Sequence, residues 1–184
     1  MISYTTKTEL RSFRDQLNEE VATNLRKTAE ERSPQGATFL SHSTKDGDLV
    51  TGAIRVLENH GARVYVDKKD PSLPPYTNKD TASTLKNRIN QSRRFVLLAT
   101  VNSKESKWVP WELGLADGYK KIDQIALFPA VEERYQTSWT SWEYLGLYNR
   151  IVWGDLQGYD KKVWMVLDEP KNTATELSKW ISLF

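Results

Sequence analysis

Two short segments of this chain hold residue types that can do chemistry together. One is Ser41-His42-Ser43-Thr44-Lys45-Asp46, with hydroxyls, an imidazole and a carboxylate in six positions. The other is Ser106-Lys107-Trp108-Val109-Pro110-Trp111-Glu112, in which a carboxylate follows two indoles. An indole can stack on a flat ligand ring, and the carboxylate beside it can stabilise a sugar oxocarbenium ion during glycosidic cleavage. Each segment also has a plainer reading. Proline is favoured at the first helical position, so Pro110 there makes Glu112 the third residue, where a glutamate bonds back to the cap and favours the dipole. The serines, with Asp46 or Asp48, could simply cap the next helix. Spacing leaves both readings open. Asp67 is either a turn former or a ribose ligand, and His60, beside Gly61, suits a helix C-terminus as a favourable charge.

What is missing narrows the chemistry further. Neither serine sits in a Gly-x-Ser-x-Gly elbow, which argues against a Ser/His hydrolase. No G-x-G-x-x-G and no Walker lysine motif occurs, so the ordinary dinucleotide and P-loop readings fail. The pattern W-x-x-W-E appears twice, at Trp108 to Glu112 and at Trp139 to Glu143, so the motif alone identifies no active site. Position separates the copies.

That position comes from the surrounding elements. Strand-like runs at 37–41, 62–67, 93–100, 123–128 and 149–153 alternate with helical patterns at 47–60, 80–91 and 108–118, and a last helix spans about 173–183. Alternation of this kind gives an α/β fold, a five-stranded parallel sheet with right-handed crossovers and helices on both faces. The run RRFVLLAT is apolar on both faces and suits a central strand. With strand order 2-1-3-4-5 the winding reverses between strands one and three, and ligands bind beyond the carboxyl ends there. The loops carrying Ser41 to Asp46 and Ser106 to Glu112 meet at that point. Ahead of the alternation, Leu10, Phe13, Leu17, Val21 and Leu25 form one stripe on a helix of about seven turns, ended by Ser33-Pro34-Gln35-Gly36. Residues 1–36 therefore read as an amphipathic helix and linker, and 37–184 as the α/β domain.

Composition closes other routes. The 184 residues include no cysteine and two histidines, which excludes thiol nucleophiles, disulfide frameworks and cysteine-ligated metals. The charge balance of 26 basic against 24 acidic residues argues against a nucleic-acid partner. Lys86, Arg88, Arg93 and Arg94 read as a solvated helix face. There is no apolar signal core in the first 16 residues, and the longest apolar run, 95–101, is far too short to cross a membrane. A soluble, cytoplasmic protein is expected.

The segments TFLSHSTKD, GARVYVDKKD, RRFVLLATVNSKESKWVPWELGLADG and DQIALF, read in order over about residues 37–130, resemble the bacterial form of the Toll/interleukin receptor (TIR) domains. SKWVPWELG is the most specific of them, because a serine, a tryptophan and a glutamate recur there in enzymatic members. The resemblance implies a flavodoxin-like fold and cleavage of NAD at the nicotinamide–ribose bond, with NAD as substrate and no cofactor. It puts the catalytic glutamate at Glu112, nucleotide contacts at Ser41, His42 and Ser43, and the accompanying serine and tryptophan at Ser106 and Trp108. Asp67 is kept with them as a candidate ribose contact. Loop 68–79 corresponds to a mobile gating loop that also mediates self-association. A short, free-standing chain further resembles the signal-producing partner of a separate effector, as in Thoeris-type antiphage systems. Alternatives are a non-catalytic TIR scaffold and an enzyme like the nucleoside deoxyribosyltransferases.

Overall fold

The computed structural model describes residues 1–68, 79–135 and 143–183. Its core is the expected α/β sheet. Five parallel strands lie in the order β3 (Val64–Tyr65), β2 (Thr38–Ser41), β4 (Arg94–Ala99), β5 (Ile125–Val131) and β6 (Asn149–Gly154), which is 2-1-3-4-5 when these are counted in chain order. Every residue of β2, β4 and β5 is buried, as two-sided apolar strands require. Helix α3 (Gly47–Asn59) lies on one face, and α4 (Lys79–Gln91) and α6 (Val109–Tyr119) lie on the other.

Three features go beyond the sequence reading. The sheet is mixed, because β7 (Val163–Asp168) and β8 (Thr173–Glu176) add antiparallel to the edge at β6. The final helix is therefore shorter than expected, with α7 covering Leu177–Ser182. A further short strand, β1 (Thr5–Thr6), pairs with β5, while Ser3 bridges to Trp153 of β6.

The single amino-terminal helix is also corrected. It is two helices, α1 (Lys7–Asp15) and α2 (Glu19–Glu31). Thr6 and Glu9 form a reciprocal capping box on α1, and Asn18 starts α2 afresh by accepting from the Val21 N–H at 2.8 Å. The break removes the continuous stripe: Leu10 is fully buried, yet Val21 is exposed. Leu10 packs in the same apolar cluster as α3 and the sheet. A Cβ at Gly52 of α3 would lie 2.0 Å from the Leu10 carbonyl oxygen, so only glycine lets α1 cross α3 this closely. Arg94 departs from the solvated-face reading as well, since it is a buried residue of β4.

Candidate active site

Ser41 is the last residue of β2 and pairs in register with Leu97 of β4, which places it at the point where the winding of the sheet reverses. Its hydroxyl donates to Oε2 of Glu112. That contact fixes Glu112 at the carboxyl end of the two central strands. Glu112 is fully buried. The capping explanation is set aside by the geometry: Trp108 occupies the cap position, Val109 opens α6, and Glu112 comes one residue later than the third position. Its N–H donates to the Trp108 carbonyl as an ordinary helical bond at 2.9 Å.

The loop after β2 stays buried beyond the strand, with His42 and Ser43 each 4% exposed. Ser43 caps a 3-10 turn over Thr44–Asp46. Asp46 stands at the cap position of α3 but makes no side-chain cap bond. Its carboxylate turns instead to the loop after β4, accepting from Thr100 Oγ1 at 2.5 Å and from Asn102 Nδ2 at 2.6 Å. That loop is a series of hydroxyl-capped turns. Thr100 and Ser103 cap α5 (Val101–Glu105) reciprocally, and Ser106 Oγ accepts from the N–H groups of Trp108 and Val109.

Between the two loops lies a cavity of about 560 Å³. Ser43, Thr44 and Lys45 line one side; Asn102, Glu105, Ser106, Lys107, Trp108 and Trp111 line the other, with Ala82 of α4 nearby. Trp108 and Trp111 meet edge to face, with ring centroids 5.7 Å apart. Two lysines against one glutamate in the lining suit an anionic ligand, and the indoles suit a flat one.

The structure thus brings Ser43, Ser106 and Trp108 to the cavity. Ser41, His42 and Glu112 are buried residues adjoining these in the chain and are not part of the lining. Asp67 stands apart. It accepts from the Tyr65 hydroxyl at 2.7 Å and from the Arg88 guanidinium, and it does not line the cavity. Burial, and next the Asp67 carboxylate, push the Tyr65 hydroxyl above its ordinary value. Loop residues 69–78, Trp139, Trp142 and the side chain of Glu143 lie outside the described residues. Sequence reasoning gave no role to Lys45, Thr100 and Asn102. Their signal was polarity in the loops that follow apolar strands.

Five parallel strands in this order, ending in a polar crevice with a buried glutamate on the second helix after the central strand, define a class. The chain belongs to the TIR domain family, whose sequence pattern it matches over residues 38–166. It is 34% identical over 130 residues to a protein of Bacillus cereus (strain MSX-D12) named "Probable 3' cyclic ADP-D-ribose synthase ThsB'". The match covers 69% of this chain and 66% of that protein. It is also 35% identical over 78 residues to "Putative cyclic ADP-D-ribose synthase TIR2" of Cytobacillus dafuensis, covering 41% of this chain and 21% of the relative. The chain therefore spans less than two thirds of either relative's length. Among the described residues no helix is long and apolar enough to cross a membrane.

Proposed function

We propose that this chain cleaves NAD at the nicotinamide–ribose bond and joins the ribosyl carbon to a hydroxyl, releasing a cyclic or linear ADP-ribose. The observation that carries the reading is Glu112, wholly buried at the sheet's switch point and bonded by Ser41 beside an indole-lined cavity. The names of both relatives, cyclic ADP-D-ribose synthases, support the same chemistry.

In the reaction the C–N bond breaks, nicotinamide leaves neutral with the bonding pair, and the ribosyl carbon becomes an oxocarbenium ion. Glu112 stabilises that cation. In a site closed to water a carboxylate does so far more strongly than in bulk solvent. A hydroxyl of the same molecule, or of water, then forms the new C–O bond and passes its proton to solvent. Trp108 shields or stacks on the ligand, Ser43 and Ser106 contact it, and Lys45 and Lys107 face its diphosphate. Ser41 orients Glu112, and His42 is the next, buried residue of the chain. Because Glu112 is fully enclosed, substrate reaches it only after side chains lining the cavity move aside. In this reading the chain self-associates through TIR surfaces, and its product is a signal for a separate effector in antiviral defence.

The test is incubation of concentrated protein with NAD, followed by mass spectrometry of the nucleotide pool. Free nicotinamide with an ADP-ribose isomer is expected, and Glu112→Gln should abolish both. Wild-type turnover by Glu112→Gln overturns the assignment. Base exchange on deoxynucleosides with NAD inert would point to a transferase instead, and NAD left intact at every protein concentration to a scaffold.

A further inference from the structure

We propose that Asp46 is a positioning residue that holds the two walls of the cavity in register; this rests on the reading of the cavity as the NAD site. Backbone pairing between β2 and β4 ends at Ser41 and Leu97. Past that point the walls are short turns, three residues on one side and five on the other, with no sheet between them. Elements this short are marginal without tertiary partners. Asp46 supplies one. It is 1% exposed and closes its own turn by donating its N–H to the Ser43 carbonyl at 3.0 Å.

Both oxygens of its carboxylate then cross to the opposite wall. Oδ1 takes the amide of Asn102, a lining residue, and Oδ2 takes the hydroxyl of Thr100. Thr100 Oγ1 already accepts from the Ser103 N–H at 3.0 Å, so its one proton is directed at Asp46. The same carboxylate forgoes the cap bond that its position on α3 offers, one that is favourable in its own right. Asp46 therefore serves the crevice in place of the helix that follows it. Asp46 does not line the cavity and would not touch the substrate.

The experiment compares Asp46→Ala, Asp46→Asn and Thr100→Val with wild type in the full chain, by amide hydrogen exchange of the free protein and by NAD kinetics. Asp46→Ala should speed exchange at residues 100–108 about tenfold. It should also raise KM for NAD about tenfold while kcat changes less than about threefold, the scale of one lost bond to a charged group. Asp46→Asn should recover most of this, because Asn102 can turn its own carbonyl toward the new amide. Thr100→Val, which alters no lining residue, should raise KM less and in the same direction. Unchanged exchange at 100–108, a fall in kcat at constant KM, or Asp46→Asn as impaired as Asp46→Ala would each overturn the inference. Should Asp46→Ala yield no folded protein, Thr100→Val decides, and an unchanged KM there overturns it. Should wild type leave NAD intact, the catalytic reading fails, and the exchange comparison alone decides whether Asp46 ties the walls.

Discussion

At the amino end of β4 the buried and half-buried charges are cations, and at its carboxyl end the buried charges are carboxylates. The cations rest on backbone. Arg94 Nε donates to the Ile181 carbonyl at 3.2 Å, and its guanidinium lies 4.5 Å from the Trp180 ring centroid. Lys120 Nζ donates to the carbonyls of Ile89 and Ser92 at 2.7 and 2.6 Å. Ile89 and Ile181 belong to the last turns of α4 and α7, where unsatisfied carbonyls and the helix dipole favour positive charge. Burial still lowers both groups, Arg94 to about 10 and Lys120 to about 8. At the other end, Asp46 and Glu112 accept from side-chain hydroxyls and an amide at the end of β2 and in the first turn of α5. Cations that finish helices are accounted for by the helix ends they meet. Of the carboxylates at the crevice, Asp46 ties its two walls together, and under the proposed reaction Glu112 is the one that meets a positive charge arriving with the substrate.

The largest effects should separate the two ends by kind. Glu112→Gln is isosteric, so the melting temperature should stay within a few degrees while nicotinamide release falls by at least about 10³-fold. Trp180→Ala removes an indole that is 4% exposed and whose Nε1 donates to the Asp123 carbonyl at 2.8 Å. It should cost about 3–5 kcal/mol in chemical denaturation. Turnover per folded molecule should not change. A drop in kcat for Trp180→Ala in the folded population, or a large loss of stability for Glu112→Gln, would break the division.

Next in size is Ser41→Ala. A hydrogen bond to a charged group contributes about 1.5–3 kcal/mol, or on the order of 10–100-fold in rate if it acts in the transition state. The loss should fall on kcat, with KM for NAD nearly constant, because Ser41 orients the carboxylate and is not a lining residue. A pure KM effect would instead move Ser41 into the nucleotide contacts and remove the distinction drawn from its partner.

The division also accounts for what could be read from sequence. The parallel core was legible because β2, β4 and β5 are buried on both faces, and unbroken apolar runs such as FVLLA have few other places to go. Glu112 was visible as a candidate, but its spacing fitted a cap equally well, and only the observed helix start at Val109 and the bond from Ser41 separate the two. Arg94 was misread because its neighbours Lys86, Arg88 and Arg93 belong to a polar stretch, while the helix terminus and ring that accept it lie 86 and 87 positions away at Trp180 and Ile181. The amino-terminal break was missed because Asn18 interrupts the helix without disturbing the apolar spacing. β7 and β8 went unseen because half-buried edge strands such as VWMVLD alternate weakly. Partners distant in sequence leave no local mark.

The smallest effect tests the amino end through pH. Lys120 titrates near 10.4 in an unfolded chain, whereas desolvation brings it to about 8 in the fold. Between those values the unfolded chain holds a proton that the folded chain has released, so raising pH through the window stabilises the fold. Below about pH 8 both states are protonated, and this contribution is flat. Comparing urea midpoints at pH 7.5 and 9.5 for wild type and Lys120→Gln cancels the other lysines. Wild type should gain on the variant by on the order of 1 kcal/mol, after allowance for screening at a partly exposed site. Parallel slopes would mean that the two carbonyls fully offset the burial of the ammonium, making Lys120 as well satisfied as any surface cation. NAD cleavage by Lys120→Gln should keep the wild-type pH profile in either case, since a group that finishes α4 at the amino end has no path to the carboxylates at the other.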